Sequence, residues 1–207
     1  MSARPTVVLV AGLRGPVATH WQTWLGHRLD DRGEPNVTVP LLGREHIDLD
    51  ERVAALDAVV RSVAGPVVLV AHSAGVITTV HWARRNAAAA RRVVGALLAT
   101  PPDLVSPLGA EYPSLDLLGE QGWTPVPVRL LPFPSIVAVS TTDDLADPQR
   151  VLALALAWGS EVEVLGPVGH LNPACGFGPW PRGEELLARL VEQAMELGSY
   201  GAVEVAS

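Results

Sequence analysis

Two patterns of hydrophobic and polar positions alternate along the chain. Short, almost entirely apolar runs rich in β-branched residues predict six strands, at Thr6–Val10, Asn36–Val39, Val67–Ala71, Val93–Ala99, Ile136–Ser140 and Val162–Leu165. Apolar residues at helical spacing predict helices between most of them, at Thr19–Leu29, Asp50–Val63, Ala74–Asn86, Pro148–Trp158 and Pro181–Leu197. Strands that are apolar throughout are typical of a parallel sheet buried on both faces. The alternation therefore predicts an α/β fold, a mostly parallel sheet of about six strands with helices on both faces.

The length of 207 residues predicts a single domain spanning 1–207. The alanine run Ala87–Ala90 is interpreted as the end of a helix. One long stretch, Thr100–Ser135, is rich in proline and shows neither pattern. Irregular segments of that length in a compact domain usually serve a function. We hypothesise that this stretch covers a site as a lid.

The amino-acid composition excludes several kinds of catalytic and metal site. All 15 basic residues are arginine, and Cys175 is the single cysteine. Without lysine there is no Schiff base, no phosphate-loop lysine and no serine–lysine dyad. One thiol allows no internal disulfide and no multi-cysteine zinc site. The net charge of −7 argues against a nucleic-acid partner.

The apolar runs are too short to predict a membrane segment. Val151–Trp158, one of the longest, falls well below the roughly 18 residues that a spanning helix needs. The run Val7–Val10 is broken at Gly12, short of a secretory signal. We therefore expect a cytoplasmic protein with no membrane partner. Arginine without lysine also suggests a GC-rich bacterial genome.

The strongest chemical signal lies where the third predicted strand runs into a helix, through Ala71-His72-Ser73-Ala74-Gly75. This is the nucleophile elbow G-x-S-x-G with alanine at its first position. Small residues are needed two places before and after the serine, because strand and helix pass closely at a strained turn. Ser73 is thus a candidate nucleophile. The alternative is an ordinary strand–turn–helix in which Ser73 caps the helix.

A serine nucleophile needs a base and an orienting acid. His170 follows the last predicted strand in a glycine-rich turn, which makes it the candidate base. Asp143 and Asp144 follow the preceding strand, and the residues alone hardly distinguish them. Asp103, after the strand Val93–Ala99, is a third possibility, although a turn or helix cap is its simpler interpretation.

An oxyanion hole requires two backbone N–H donors. Ala74, directly after the nucleophile, should supply one. The loop after the first strand should supply the other, from Leu13 or alternatively from Arg14. The same region is expected to line a substrate pocket with Gly12, Arg14, His20 and Trp21.

The remaining histidines and the cysteine have simpler interpretations. His72 is expected to pack under the elbow. His20, His27 and His81 lie on predicted helices without carboxylates at metal-ligand spacing, so we expect no metal. Cys175 has no feature that would activate it as a nucleophile.

Several segments together resemble the small serine hydrolases of the α/β-hydrolase superfamily, the family that includes the retinoblastoma-binding serine hydrolase. The similar segments are His20-Trp21-Gln22, the elbow His72-Ser73-Ala74-Gly75, Leu131–Ser135, Gly169–Asn172 and Gly176–Pro181. The resemblance implies an α/β-hydrolase fold with nucleophile Ser73 and base His170. It places the acid at Asp143, at the end of a Ser-x-x-Asp segment beginning at Ser140. Binding to the retinoblastoma protein does not carry over, because the Leu-x-Cys-x-Glu pattern is absent.

The sequence thus leads us to expect a cofactor-free hydrolase that cleaves an ester, thioester or amide of a small acyl substrate. Two alternatives stay open. One is an acyl transferase, cyclase or lyase that uses the same three residues, and the other is a binding module on a hydrolase fold. The sequence leaves the oligomeric state open.

Overall fold

The computed structural model describes residues 4–15, 17–43 and 45–204, with side chains described as far as Glu196. Its strands are β1 (Thr6–Val10), β2 (Asn36–Thr38), β3 (Val67–His72), β4 (Val93–Ala99), β5 (Ser135–Ser140) and β6 (Glu161–Gly166). They form one parallel sheet in the order β2-β1-β3-β4-β5-β6. The α/β class and the six-stranded parallel sheet are confirmed.

The helices found in the described ranges cover both faces of this sheet. They are α1 (Trp21–Asp31), α2 (Leu49–Ser62), α3 (Ala74–Arg85), α4 (Ala87–Ala90), α5 (Leu115–Glu120), α6 (Pro148–Trp158) and α7 (Pro181–Glu204). Alternate strand residues serve opposite cores. Val68 and Val70 of β3 pack with α1 and α7. Leu69 and Ala71 pack with α2, α3 and α6 on the other face.

Helix ends follow the local chemistry of the sequence. The Asp48 carboxylate accepts hydrogen bonds from the first turn of α2. Asp147 does the same for α6, with Pro148 at its first position. Both are the expected N-cap arrangements. Helix α1 begins at Trp21 rather than Thr19, because the His20 ring caps it by accepting from the Gln22 amide at 3.1 Å.

Two expectations about the elements were wrong. Ala87–Ala90 is not the end of a longer helix but a separate short helix, since the chain bends at Asn86. Strands β2 and β6 are not buried on both faces, because they lie at the edges of the sheet: no residue of β2 is fully buried, and Val162 and Val164 of β6 are exposed. Edge strands have a neighbour on one side only, and a lone strand's sequence does not reveal its place in the sheet.

The segment between β4 and β5 packs against the core of the domain. It contains α5 and buries Leu104, Leu118, Trp123 and Phe133. The Trp123 indole donates to the carbonyl of Ile47 at 2.6 Å. The backbone carbonyl of Trp123 accepts a hydrogen bond from the buried His81 ring. The role of this segment as a lid stays a prediction.

No helix in the described part of the chain is long and apolar enough to cross a membrane.

The parallel arrangement gathers the chemically interesting loops at one edge. Each loop that follows the carboxyl end of a strand emerges on the same side of the sheet, where ligands of open α/β sheets bind. The loops after β1, β3, β5 and β6 carry Leu13, Ser73, Asp143 and His170 respectively. The fold therefore brings together residues separated by up to 157 positions in the chain (170 minus 13).

Gly75 sets how closely α3 can cross β1. A Cβ at this position would lie 2.3 Å from the carbonyl oxygen of Val10 and 2.7 Å from that of Ala11. Both contacts are with backbone, which cannot turn aside. We expect Gly75→Ala to lower the free energy of unfolding by about 3 kcal/mol, as overpacking a rigid core does.

Urea unfolding followed by circular dichroism measures this effect. Gly26→Ala in α1 is the matched control, because its Cβ would meet side chains at ordinary contact distances, Leu9 at 3.4 Å and Asn36 Oδ1 at 3.9 Å. Replacing glycine by alanine inside a helix stabilises it by roughly 0.5–1 kcal/mol, so this control should be neutral or slightly more stable. Equal stability of the two variants would contradict a tight crossing at Gly75.

Candidate active site

Ser73 occupies a strained turn between β3 and α3. Its backbone has φ 57° and ψ −128°, a conformation that residues with a side chain rarely adopt. The Ser73 amide donates to the carbonyl of Ala99 in β4 at 3.0 Å, which fixes the turn to the sheet. Its hydroxyl makes no capping hydrogen bond to α3. The alternative interpretation of Ser73 as a helix cap is therefore not supported.

Three polar side chains form a continuous hydrogen-bonded chain at this turn. Ser73 Oγ lies 2.7 Å from His170 Nε2. His170 Nδ1 lies 2.9 Å from Asp143 Oδ2 and 3.0 Å from Oδ1. A carboxylate can only accept, so the Nδ1 proton points at Asp143 and Nε2 presents its lone pair to the serine. The side chains of His170 and Asp143 are nearly fully buried, with 7% and 3% of their surface exposed.

The structure separates the three acid candidates. Only Asp143, among these three, contacts His170. Asp144 is exposed. Asp103 is buried but faces its own loop, where it accepts from Val105, Ser106 and the Asp147 amide. Burial raises the pKa of Asp103, but these hydrogen bonds outweigh it and leave the pKa below its usual value.

The turn that carries His170 is held from two sides. The His72 ring donates from Nε2 to the His170 carbonyl at 3.0 Å. The His170 amide donates to Cys175 Sγ at 3.3 Å. Gly169 has φ +57°, and a Cβ there would lie 2.6 Å from Cys175 Sγ. His72 does lie beneath the elbow, and it also positions the backbone of His170.

The loop after β1 passes directly against the serine. A Cβ on Gly12 would lie 3.1 Å from Ser73 Cβ, so glycine permits this approach. Leu13 and Arg14 form the following turn, closed by the Gly15 amide donating to the Gly12 carbonyl at 3.1 Å. Arg52 of α2 donates to the Leu13 carbonyl at 3.3 Å and to the Gly43 carbonyl at 3.0 Å. This half-buried guanidinium, whose pKa is lowered by its burial, anchors the loop.

Ser73 opens into a cleft with a cavity volume of about 220 Å³. The cleft is lined by Gly12, Leu13, Arg14, Gly15, Val17, His20, His72, Ser73, Tyr112, His170, Asn172, Pro173 and Ala174. The expected pocket residues Gly12, Arg14 and His20 therefore share this cleft. Trp21 does not line it. Its indole is 1% exposed and packs edge-on against Trp180 and His72 in the core, because α1 turns that face toward the sheet.

A smaller apolar cavity of about 30 Å³ touches Ser73 from another direction. It shares Leu13, Ser73 and Tyr112 with the cleft and adds Ala74. Its other walls come mainly from the segment between β4 and β5. His170 does not line this cavity.

Histidine rings pack in a row behind the cleft. The His72 ring centroid lies 4.8 Å from that of His20 and 5.0 Å from that of His170. Burial, followed by the nearby His170, lowers the pKa of His20 from 6.5 to about 4. The same causes hold the pKa of His72 well below its usual range. Since His20 Nδ1 accepts from Gln22, its ring carries the proton on Nε2.

Some residues of the site were not anticipated from the sequence. Tyr112 lies in the irregular segment without any motif around it. Arg52 contacts the loop from α2, 39 residues away in the chain. Asn172 accepts a hydrogen bond from the Cys175 amide and so shapes the turn after His170. Within the described residues, no three or more His, Cys, Asp or Glu side chains are grouped so as to hold a metal ion.

Comparison with known proteins identifies the family of this chain. A sequence model described as serine hydrolase matches residues 7–189. The chain belongs to the serine hydrolase family. The resemblance noted from the elbow and the His170 turn is thereby confirmed. No curated protein sequence matches the chain significantly.

Solved structures support the fold of this serine hydrolase. A YdeN-like hydrolase from Pectobacterium atrosepticum is 26% identical, with 92% of each chain covered and a TM-score of 0.75. The ydeN gene product of B. subtilis is 19% identical over 91% of this chain and 99% of its own, with a TM-score of 0.72. Est1E from Butyrivibrio proteoclasticus, solved with ferulic acid, is 12% identical over 93% and 88%, with a TM-score of 0.66.

The lowered pKa of His20 makes the stability of the fold depend on pH. In the unfolded chain this ring binds a proton near pH 6.5, whereas in the folded chain it does so only near pH 4. The unfolded state thus binds more protons between these values, so stability falls as pH is lowered from 6.5 to 4. We expect His20→Asn, which retains a good helix cap, to reduce this fall.

Urea unfolding at a series of pH values between 7 and 4 tests this expectation. His72 remains in the variant and its lowered pKa acts in the same direction, so the dependence should be reduced rather than abolished. His27→Asn is the control, because its side chain is exposed on α1. The expectation is wrong if His20→Asn and His27→Asn show the same pH dependence as the unchanged protein.

Proposed function

We propose that this serine hydrolase cleaves a carboxyl ester, thioester or amide of a small substrate through an acyl-enzyme on Ser73. The observation that carries the proposal is the unbroken chain of hydrogen bonds from Asp143 through His170 to Ser73, at 2.9 and 2.7 Å. A serine hydroxyl is a weak nucleophile on its own and needs an oriented base. This chain of hydrogen bonds ends at an open cleft, so the Ser73 hydroxyl is accessible to a substrate.

In the first half of the reaction, His170 Nε2 takes the proton of Ser73 as Oγ attacks the substrate carbonyl carbon. The resulting imidazolium is stabilised by the buried Asp143 carboxylate, which also holds the ring in the required tautomer. Charge that develops on the carbonyl oxygen is stabilised by the amides of Ala74 and Leu13. Ala74 is the first residue of α3, where backbone amides lack helical partners and the helix dipole favours negative charge.

The tetrahedral intermediate then collapses with transfer of the proton from His170 to the leaving oxygen, sulfur or nitrogen. This releases the alcohol, thiol or amine and leaves the acyl group on Ser73. In the second half a water molecule gives a proton to His170 and attacks the acyl carbon. The acid departs, and the proton returns from His170 to Ser73 Oγ, which restores the enzyme.

A fluorophosphonate probe tests the nucleophile directly, because it phosphonylates an activated serine. We expect the protein to be labelled at Ser73 and Ser73→Ala to be unlabelled and inactive on p-nitrophenyl esters. Ser62→Ala, a change in α2 outside the site, is the control and should label normally. Absence of labelling in the unchanged protein would overturn the proposal.

The orienting acid is tested by comparing two neighbours. We expect Asp143→Asn to lower kcat by about 10⁴-fold, since the amide favours the wrong histidine tautomer. Asp144→Asn should change kcat little, because that side chain is exposed and does not contact His170. Steady-state kinetics on p-nitrophenyl butyrate measures both. A large loss in Asp144→Asn with normal activity in Asp143→Asn would reverse the assignment.

A further inference from the structure

Ser73 lies between two cavities that differ in size and in the side chains that line them. The larger, of about 220 Å³, contains His170 and the polar side chains of Arg14 and His20. The smaller, of about 30 Å³, is walled by leucines, prolines and Trp123. When the carbonyl carbon of a substrate reaches Ser73 Oγ, the two groups attached to that carbon extend into different cavities. The shape and polarity of each cavity therefore limit the group that it can hold.

The reaction chemistry indicates which part of the substrate lies in which cavity. In the tetrahedral intermediate the leaving group must receive a proton from His170 Nε2, so it must lie on the side that His170 lines. The oxyanion must face the Leu13 and Ala74 amides. The remaining substituent is the acyl chain, and the space left for it is the apolar cavity, which His170 does not line. The leaving group thus occupies the cleft and the acyl chain the apolar cavity.

The cleft carries one fixed charge. Among the described residues that line it, only Arg14 is permanently ionised. The lowered pKa values of His20 and His72 keep both rings neutral near pH 7. Arg14 donates to the Glu111 carbonyl at 2.9 Å and lies 4.3 Å from the centre of the Tyr112 ring. No described carboxylate forms an ion pair with it, so its charge is available to a ligand in the cleft.

The cleft also offers neutral donors. His20 presents its Nε2 proton from the cleft wall, since Nδ1 is occupied by the Gln22 amide. The Tyr112 hydroxyl is protonated at neutral pH, and partial burial raises its pKa further above its usual value. One cation and several N–H or O–H donors match an anionic oxygen group. A single positive charge matches a carboxylate, which carries a single negative charge.

The apolar cavity limits the acyl chain. Leu104, Leu108, Leu118 and Leu145 surround it, and its volume is only about 30 Å³. Leu104 and Leu118 are buried and packed in the main core, so they cannot move aside freely. Only a short apolar chain fits without rearrangement.

We propose that the substrate joins a short apolar acyl group to a leaving group that bears a carboxylate, which Arg14 binds. The inference rests on the proposed acyl-enzyme mechanism and names the substrate class of the same site. Ser73 forms the bond to the acyl carbon, and the carboxylate-bearing alcohol, thiol or amine departs with the proton from His170.

Matched esters test the contribution of Arg14. We compare 3-carboxyphenyl butyrate with 3-carbamoylphenyl butyrate, which has a neutral amide in place of the carboxylate. The unchanged enzyme should prefer the carboxylate by about 10-fold in kcat/KM, mainly through KM, as expected for a charged hydrogen bond. Arg14→Gln should lose this preference. Arg14→Lys, which keeps the charge, should retain part of it.

The outcomes separate this inference from the proposed function. Labelling of Ser73 with turnover of the neutral ester supports the hydrolase, whatever the preference. An unchanged enzyme without preference, or a preference that survives in Arg14→Gln, overturns the role of Arg14. An equal loss on both esters in Arg14→Gln also overturns it, because Arg14 would then only brace the Tyr112 segment. Arg91→Gln, at the exposed residue that follows α4, is the control and should behave as the unchanged enzyme.

A second series tests the apolar side. Esters of 3-hydroxybenzoate with two to eight acyl carbons should be cleaved best at short length, with activity falling at least about 10-fold toward the octanoyl ester. Leu108→Ala enlarges the cavity at a half-buried position and should move the optimum to longer chains. Leu117→Ala on α5 is the control, since this side chain does not line the cavity. An optimum that stays unchanged in Leu108→Ala would place the acyl chain elsewhere.

Discussion

The close crossing of strand β3, strand β1 and helix α3 is the constraint on which the rest of the site depends. Ser73 is held at φ 57° in a conformation that costs about 1–3 kcal/mol for a residue with a side chain. The surrounding backbone sustains it. The Ser73 amide is bonded to β4, and Gly75 lets α3 pass within contact of the carbonyls of β1. The turn in return directs Oγ away from the helix and toward His170, and places the Ala74 amide beside it. Alanine at position 71 adds only a methyl group, which the core of the sheet accommodates in full burial.

Burial then decides the electrostatics around this turn. Asp143 and His170 lie in a nearly dry environment, where attraction between a carboxylate and an imidazolium is much stronger than in water. The adjoining rings of His20 and His72 stay neutral at physiological pH because their pKa values are lowered. A cation on either ring would oppose proton uptake by His170. His72 thus positions His170 through a hydrogen bond to its backbone carbonyl. Because the neighbouring rings are neutral, they do not repel a positive charge on His170.

The parts of the structure that the sequence could predict are those that depend on local pattern. The apolar runs gave all six strands within one residue at each end, because strands buried in a parallel sheet are mostly apolar. The exposure of the edge strands β2 and β6 depends on strand order, which lies outside their own residues. The residues alone left Asp143 and Asp144 open, and the family resemblance placed the acid at Asp143; in the structure Asp143 contacts His170. Tyr112 and Arg52 could not be found, since each reaches the site through tertiary packing from a segment without a motif. Trp21 was assigned to the pocket by its nearness in the chain to the loop after β1, whereas the orientation of α1 turns it inward.

The overall charge of the protein constrains how a carboxylate-bearing substrate would be selected. With a net charge of −7, the molecule as a whole does not attract anions from a distance. Interactions between exposed charges are largely screened beyond about 8 Å at physiological ionic strength. The Arg14 charge therefore acts mainly after the substrate has entered the cleft. It would hold a bound substrate longer rather than accelerate its arrival, so selectivity would arise from slower dissociation. This fits a cleft in which the cation is braced against Tyr112 and Glu111, because a guanidinium that is already ordered loses little further freedom when it binds.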